Sequence, residues 1–406
     1  MKNLFVILVG CVFALGLTGC GSTTDRGLQT LNLAAAIDNP KTTDLAEIAA
    51  EVEFIPLDES TPVGEMAILG GLKPAPGEGF YIVAADGMTP VWHFDRTGKF
   101  ISTVGRIGRG PGETPFINGV TPNNMTGEVY IDGVMDIVGL DTEGGEFARS
   151  KSGINWGMTW HGDRLLVLTV PDLFDESAYS GDSLALIEMF DRELRPAGSI
   201  HGPNLGPFLG MPTTPQAEDY IAASDPPFLS DNGERLLVRQ GRGDTLYQYS
   251  AGALAPAYVM DRGGYTPQAE LFGVDPVARW SDRNFAVADV WEGERYVIVA
   301  VTNMQKNSAG QPIMQGLIFD RDSGGGGLGL GGFSAVGPEG SPGLFLGGVK
   351  FTPSYIRNNQ LVGYMQALDI VDAAAAKNIT DPSLQTLAAT LREDDNPVIV
   401  IATLNK

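Results

Sequence analysis

The chain has 406 residues, with 49 Asp and Glu against 27 Lys and Arg, so its net charge is −22. Such an acidic chain repels nucleic-acid phosphates, which argues against nucleic acid as a partner. The two cysteines, Cys11 and Cys20, both lie near the N-terminus. The folded part is therefore predicted to hold no disulfide and no thiolate metal site. The 53 Gly and 26 Pro residues favour an all-β protein with many turns.

The first residues predict a leader that is removed. Lys2 precedes an apolar run over residues 4–17, which is too short to span a bilayer comfortably. The run ends in Leu17-Thr18-Gly19-Cys20, which resembles a bacterial lipobox and so implies cleavage before Cys20 and lipidation of its thiol. An ordinary secretory signal peptide is the alternative. The predicted organisation is a lipoprotein signal peptide over residues 1–19, a lipidated cysteine and tether over 20–50, and one folded domain over 51–406.

The folded domain is predicted to begin with one alternating strand over residues 51–57. A repeat of four short strands follows, and its first copy has strands at residues 66–72, 80–84, 90–94 and 100–104. Further units are predicted over residues 117–150, 154–200, 227–260, 285 to beyond 324, and 346–404. The sixth unit lacks a strand once two predicted helices, residues 368–377 and 382–392, are set aside. The strand at 51–57 fits that vacancy and would close the ring.

A turn motif marks the end of the third strand in most units. It reads Phe94-Asp95-Arg96-Thr97-Gly98 in the first unit and recurs at residues 140–144, 190–193 and 319–322, with a degraded copy at 249–252. Asp suits this turn because its side chain accepts from backbone N–H groups nearby, and Gly supplies positive φ. Four strands per unit indicate a β-propeller, with a β-sandwich as the alternative. We predict an all-β fold: a six-bladed β-propeller of four-stranded blades, closed by the N-terminal strand, with a small helical insertion in the last blade.

The lengths of the connections differ between the two faces of such a propeller. Turns between strands one and two are mostly short and share one face, which we call the turn face. The long segments fall on the opposite face, here called the long-loop face, at residues 105–116, 171–182, 201–225, 261–284, 303–312 and 367–396. Binding residues of a rigid scaffold are expected where the chain is most elaborated. The candidate ligand-binding residues on this face are Arg106, Arg109, Glu113, His201, Arg262, Tyr265 and Arg279.

The exit from the first unit, residues 106–113, has the sequence RIGRGPGE. Its glycines allow close approach of the backbone, and Arg106 and Arg109 stand out in a chain short of positive charge. They could clamp an anion or a carbonyl. The alternative is a structural crossover with the arginines paired to Glu113 or neighbouring acids. The stretch is not a P-loop, because no Lys-Ser/Thr and no helix follow the glycines.

Motifs for metal binding and catalysis are scarce. The histidines His93, His161 and His201 are predicted to lie apart, with His161 in a turn on the turn face, which argues against a shared zinc site. Carboxylates of the long-loop face could bind Ca²⁺ or act as acid and base: Asp172, Asp175, Glu176, Glu218 and Asp219. No calcium loop, GxSxG or HExxH is present. We predict no cofactor, with Ca²⁺ left open, and a flexible loop in the glycine run at 324–332.

Three stretches, GKFISTVGRIGRGPGE, EVYIDG and GLDTEGGEF, resemble two consecutive NHL-type propeller repeats. Together with the lipobox and residues 55–58 and 395–400, they make residues 51–406 similar to the six-bladed β-propeller lipoproteins of unknown function found in Bacteroidetes. The resemblance implies the fold and an envelope location but no activity.

Two functions follow as hypotheses. The first is a non-catalytic binding or scaffold lipoprotein, monomeric, that binds a peptide, glycan or envelope protein through the long-loop face. The second is a propeller hydrolase or lyase acting on a sugar or peptide, with or without Ca²⁺. Gly21 after Cys20 favours the outer membrane, on its periplasmic face or at the cell surface.

Overall fold

The structure is a computed structural model that describes residues 28–63, 71–133, 135–152, 155–169, 181–204, 227–241, 243–267, 284–306, 312–323, 329–337 and 341–406. The predicted signal peptide and Cys20 lie outside these residues. Over the described ranges the fold is all-β with a propeller-like arrangement of antiparallel sheets. No helix in them has the length and apolar character needed to cross a membrane.

The segment before residue 50 is part of the fold. It contains β1 Gln29–Asn32, α1 Leu33–Ile37, β2 Pro40–Thr42, a 3₁₀ turn Leu45–Glu47 and, continuing into the domain, β3 Ala49–Pro56. The sequence predicted a polar tether over 20–50, but Leu31, Leu33 and Leu45 are at most 1% exposed. These leucines hold residues 28–50 on the sheets, so this part of the predicted tether belongs to the fold.

Three sheets are separate four-stranded antiparallel meanders. The first contains β4 Leu72–Pro74, β5 Phe80–Ile82, β6 Val91–Phe94 and β7 Phe100–Val104. Two short parallel strands, β8 Arg106–Ile107 and β9 Glu113–Thr114, form the crossover to the next sheet. The second contains β10 Gly119–Pro122, β11 Val129–Asp132, β12 Asp136–Leu140 and β13 Glu146–Lys151. The third contains β14 Asn155–His161, β15 Arg164–Thr169, β16 Ser183–Phe190 and β17 Pro196–Pro203.

The fourth and fifth predicted units form one eleven-stranded sheet. Its strands, besides β1 and β2, are β18 Phe228–Asp231, β19 Leu236–Arg239, β20 Thr245–Ser250, β21 Ala253–Asp261, β22 Thr266–Pro267, β23 Asn284–Glu292, β24 Tyr296–Lys306, β25 Pro312–Asp320 and β26 Gly329–Val336. They are joined because β1 pairs in parallel with both β21 and β26. The sequence therefore predicted two separate blades where the structure has one continuous sheet.

The last sheet confirms the predicted closure of the chain. It contains β27 Leu344–Leu346, β28 Val349–Arg357, β29 Gln360–Met365 and β30 Val398–Leu404. The N-terminal β3 adds to it as a fifth strand, antiparallel to β30, with Ile55 opposite Ile399. The predicted helices are present between β29 and β30 as α2 Ala367–Ala375 and α3 Pro382–Ala388. Four sheets, not six, thus stand alone as blades of four or five strands.

The innermost strand is the first strand of each of the first three sheets, the first of each half of the eleven-stranded sheet (β18 and β23), and β28 of the last sheet. Strands β4, β10, β14, β18, β23 and β28 contact one another in this order, and β28 contacts β4. The apolar side chains of neighbouring units pack between the sheets, as between β3/β30 and the first sheet, or between the first and second sheets. The centre of the arrangement is consequently bordered by six strand edges.

The predicted Asp-Gly turns are confirmed. Oδ1 of Asp95 accepts from the backbone N–H of Thr97 at 2.8 Å and of Lys99 at 3.1 Å. Oδ1 of Asp141 makes the same bonds one sheet later. Gly98 and Gly144 have φ of +83° and +82°, which a residue with a Cβ adopts only at a cost.

The glycine run at 324–332 was predicted as a flexible loop, and this is wrong for its second half. Gly329 to Gly332 begin strand β26, while residues 324–328 lie outside the described ranges. Gly332 pairs with Phe319, and a Cβ there would come within 2.5 Å of the phenyl ring. The glycine is required because the aromatic ring covers the neighbouring strand.

Candidate functional site

A cavity of about 460 Å³ lies where the innermost strands reach the turn face. All six innermost strands contribute to its wall, and Asn124, Met125, Gly162 and Glu234 from the one-to-two turns form its rim. The side chain of Met125 is 71% exposed, which marks the open end. The cavity therefore opens on the face opposite to the predicted long-loop face.

Asp289 reaches the cavity through a β-bulge in β23. The pairing register of β23 with β24 shifts between Val287 and Asp289. The apolar residues around the shift divide between the two sheet faces: Phe285, Val287 and Val290 pack toward the preceding unit, and Ala288 and Trp291 toward the following one. Asp289 is left on neither buried face and lines the cavity. Bulges commonly re-aim a side chain in this way beside functional sites.

The environment of Asp289 favours its neutral form. Burial raises the pKa of its carboxyl group to about 7, although a hydrogen bond from the Val290 N–H, at 2.7 Å, and the charge of Lys73 act in the opposite direction. The carboxyl group is thus poised to titrate near neutral pH.

Lys73, on β4, lines the same cavity. Burial lowers the pKa of its amine, and the charge of Asp289 offsets part of that effect. Among the described residues the side-chain amine of Lys73 makes neither an ion pair nor a hydrogen bond. An amine enclosed by protein without a partner is costly, since burial penalises the charged form.

A second polar group lies on the wall formed by β14 and β18. Oδ2 of Asp231 accepts a hydrogen bond from the Thr159 hydroxyl at 3.1 Å and lies 3.4 Å from Nδ1 of His161. Its Oδ1 accepts from the Gly233 N–H at 2.9 Å. Burial would raise the pKa of Asp231, but these bonds outweigh it and hold the pKa below its usual value. Asp231 is therefore a fixed negative charge at the rim.

Arg357 and Asn124 bridge the rim from two sheets that are not neighbours. With the Asn124 amide assigned so that its oxygen faces Arg357, at the end of β28, that oxygen accepts from the guanidinium at 3.0 and 3.1 Å. This contact narrows the entrance. It places a positive charge beside the turn that contains Gly233.

Aromatic side chains supply the apolar part of the wall. Trp160, Trp291 and Tyr355 line the cavity. The Trp160 ring stacks on Tyr130, with centroids 5.0 Å apart and planes 19° from parallel, so its position is fixed. Within the described chain, Nε1 of Trp160 is buried without a hydrogen-bond partner. Flat apolar faces beside a few polar groups are typical of sites for small ligands.

None of the predicted site residues lines this cavity. Arg106 and Arg109 are exposed, and in the described ranges the side chain of neither makes an ion pair or hydrogen bond. Oε2 of Glu113 accepts instead from the Gly110 N–H at 2.8 Å, and the Glu113 carbonyl accepts from Arg149 at 2.9 Å. Pairing of the two arginines to Glu113 is thus not observed, although the crossover itself is tightly held.

The remaining predicted residues lie at the outer parts of the sheets. Arg262 and Tyr265 come together beside a second cavity of about 430 Å³, where Arg262 is 4% exposed and bonds to Asp244 at 2.6 Å. The Tyr265 hydroxyl donates to Asp38 at 2.8 Å. His201 is exposed on β17, with Nε2 3.2 Å from the Ser199 hydroxyl. Arg279 lies outside the described residues.

The described residues contain no group of three or more His, Cys, Asp or Glu side chains placed to hold a metal ion. All the carboxylates proposed for Ca²⁺ lie outside the described ranges: Asp172, Asp175, Glu176, Glu218 and Asp219. The possibility of a calcium site stays a prediction.

Comparison with known proteins identifies the family. The model of a domain of unknown function, DUF4934, matches residues 28–403. The chain belongs to this family. No curated protein matches it.

Two solved structures from Bacteroides are similar to this family member. A "Putative exported protein" from Bacteroides fragilis NCTC 9343 is 15% identical, with a TM-score of 0.61 over 91% of this chain and 99% of that chain. A DUF4221 family member from Bacteroides vulgatus ATCC 8482 is 12% identical, with a TM-score of 0.53 over 87% and 96%. At these identities the likeness is one of fold.

One sequence signal could have located the cavity. In β23, FAVADVW is apolar except for Asp289, although both faces of a strand between two units are covered. A carboxylate in such a strand has no buried face to occupy and must turn to the centre. The long connections predicted a binding site on the long-loop face instead.

Proposed function

We propose that this DUF4934 member is an exported, lipid-anchored envelope protein that binds a small polar ligand, a fragment of peptide or glycan, in the turn-face cavity. The observation that carries the proposal is the cavity wall itself, where Lys73 and Asp289 lie among Trp160, Trp291 and Tyr355. Enclosed charges beside aromatic faces destabilise a fold and are retained where a ligand needs them.

The proposal includes the finer points of the fold. We count the eleven-stranded sheet as two blades linked by β1, which makes six. The ring of contacts between six innermost strands supports this count, as do the six apolar clusters, each between neighbouring units. The NHL-type character of the repeats stays a prediction from the sequence.

The location rests on the leader and on a relative. The Leu17-Thr18-Gly19-Cys20 sequence supports lipidation at Cys20, and Gly21 supports sorting to the outer membrane. A structurally similar protein is described as exported. Metabolic labelling with a radioactive fatty acid would test this: labelling should disappear in Cys20→Ser, and label that persists would contradict a lipid anchor at that residue.

A larger envelope partner on the long-loop face stays part of the proposal. The exposed, unpaired Arg106 and Arg109 in the described crossover are the contacts that we assign to it. This surface is independent of the cavity, so the protein can hold a small ligand and a partner at once.

The test of cavity binding uses purified protein, a tripeptide library and a set of neutral oligosaccharides, with binding measured by native mass spectrometry. Ser354 lies in the bulge of β28 and lines the cavity, so Ser354→Trp should fill it and abolish binding. Ser230→Trp, on β18, serves as a second blocking variant. Binding that survives in both folded variants, or no binding by the parent protein, would contradict the proposal.

A hydrolase or lyase acting on the same ligand is the second candidate. One feature favours it: Asp289 lines the cavity, where burial raises the pKa of its carboxyl group to about 7, and such a group can act as general acid or base. Turnover of any library member, lost in Asp289→Asn, would support catalysis. Binding of a ligand without turnover would support the non-catalytic binding function.

A further inference from the structure

The wall of the cavity carries an amine, that of Lys73, and a carboxyl group, that of Asp289, on different strands. We infer that its ligand is zwitterionic, a short peptide with free termini whose carboxylate is bound by Lys73 and whose protonated amine is bound by Asp289. The inference rests on the proposed function and names the ligand class for the same cavity.

The first argument is the separation of the two charges. Lys73 on β4 and Asp289 on β23 are near enough to influence each other's ionisation. Within the described chain they nevertheless make no ion pair within 4.0 Å. Two opposite charges in one cavity are stabilised most by direct contact. Because Lys73 and Asp289 are not in contact, a ligand that carries both complementary charges can bind between them.

The second argument is the rim, which repeats the same polarity. Arg357 and Asp231 both lie at the rim, close to Gly233, and Asp231 is held ionised there by Thr159, Gly233 and His161. A neutral sugar would leave Lys73 and Asp289 without a charged partner. A zwitterion satisfies the inner pair, and the rim then contacts the polar backbone of the peptide.

The third argument concerns the apolar wall. Trp160, Trp291 and Tyr355 surround the charged pair. Their apolar surface excludes water and strengthens the ionic contacts, and the half-buried Trp160 and Tyr355 can contact apolar side chains of a peptide. A volume of about 460 Å³ lies in the range of small-ligand pockets, which favours a peptide of a few residues.

The test compares one tripeptide library in three forms: with free termini, N-acetylated and C-amidated. The purified protein should bind the free form at least ten times more tightly than either blocked form in isothermal titration calorimetry. Lys73→Met should bind the free and amidated forms equally but still reject the acetylated form. Asp289→Asn should bind the free and acetylated forms equally but still reject the amidated form.

Two exposed positions that do not line the cavity, Lys99→Met and Asp394→Asn, are matched controls and should keep both preferences. Because each cavity variant replaces a half-buried ionisable group without an ion-pair partner by a neutral side chain of similar size, both should fold, as circular dichroism would verify. Lys73→Met should lose only the preference for a free carboxylate, and Asp289→Asn only the preference for a free amine. This pattern distinguishes recognition of charge from a general disturbance of the cavity.

Three results would overturn the inference. Equal binding of free and blocked peptides would exclude recognition of the termini. Binding of a neutral oligosaccharide alone, blocked by Ser354→Trp, would preserve the proposed function and refute only the ligand class. Absence of binding by every peptide and oligosaccharide would refute both.

Discussion

Lys73 and Asp289 line one cavity from two different sheets, and in the described part of the chain they form no ion pair. An enclosed amine and carboxyl group that do not neutralise each other cost stability. The fold therefore keeps a destabilising arrangement at its centre, which is expected of a site that serves function.

The first prediction follows from the carboxyl group. The pKa of Asp289 is raised from 3.8 to about 7 in the folded state, so between these values the folded protein binds more protons than the unfolded chain. Its contribution to stability is complete below about pH 4 and is lost as the pH rises toward 7. Asp289→Asn removes this loss and should raise the free energy of unfolding at pH 8, with an upper limit on the order of 4 kcal/mol.

Urea unfolding at pH 4, 6 and 8 would measure this change, with Asp394→Asn as an exposed control. The gain should be small at pH 4 and largest at pH 8. An asparagine variant that is less stable than the parent at pH 8 would show that the carboxylate is satisfied in the fold.

A second prediction concerns two glycines in equivalent turns. Gly98 and Gly144 have nearly the same positive φ, but a Cβ at Gly98 would lie 2.3 Å from the carbonyl oxygen of Pro56, whereas at Gly144 nothing lies within 4 Å. Gly144→Ala should cost about 1–2 kcal/mol for the backbone conformation alone. Gly98→Ala should cost clearly more, because the closing strand β3 must move away.

The difference between the two variants in chemical denaturation isolates the contact that closes the ring. Equal losses for Gly98→Ala and Gly144→Ala would mean that β3 does not pack against this turn in solution.

A third prediction tests the N-terminal segment. Leu31, in β1, is fully buried, and Leu28, three residues earlier, is 46% exposed. Leu31→Ala should lower the free energy of unfolding by roughly 2–5 kcal/mol, as expected for a large cavity in a packed core. Leu28→Ala should change it by less than about 0.5 kcal/mol, as surface substitutions do. Similar small effects of both would indicate a tether rather than a folded segment.

A fourth prediction concerns pH and His93. Its ring lies 4.7 Å from that of Tyr81, and within the described residues its Nε2 is buried without a partner. Burial lowers the pKa of His93 below 6.5, while the charge of Asp95 partly opposes this. The unfolded chain therefore takes up the proton first, and stability should fall as the pH drops through 6.5.

The thermal midpoint measured from pH 8 to pH 5 would report this fall. His93→Phe should flatten the profile, and His201→Gln, at an exposed position, should leave it unchanged. A profile that keeps its slope in His93→Phe would assign the effect to another group.

The fold was predictable where its signals are local. The Asp95 and Asp141 turns, the alternating strands and the closing pair of β3 and β30 follow from short motifs and from one vacant strand position. The merging of two units was not predictable, because β1 makes parallel pairs with strands more than 200 residues away. Nothing in the four residues Gln29–Asn32 specifies such partners.

The cavity lies apart from the residues that the sequence predicted as a binding site. Loop length directed attention to Arg106 and Arg109, whereas the cavity is built from strand ends and a bulge at Asp289. A bulge depends on the register between two strands, which the composition of one strand does not reveal. The charged residue within an apolar strand was the available clue.

The position of β1 has a consequence for how the molecule would sit on a membrane. Because β1 pairs with the outermost strands β21 and β26, the chain leaves the fold at its rim and not at either face. In the lipid-anchored protein that we propose, the eight residue steps from Leu28 back to Cys20 span at most about 28 Å. The rim beside β1 would then be the part of the fold that lies nearest to the bilayer. The cavity entrance on the turn face and the long-loop face with Arg106 would then both remain accessible to the surrounding solution.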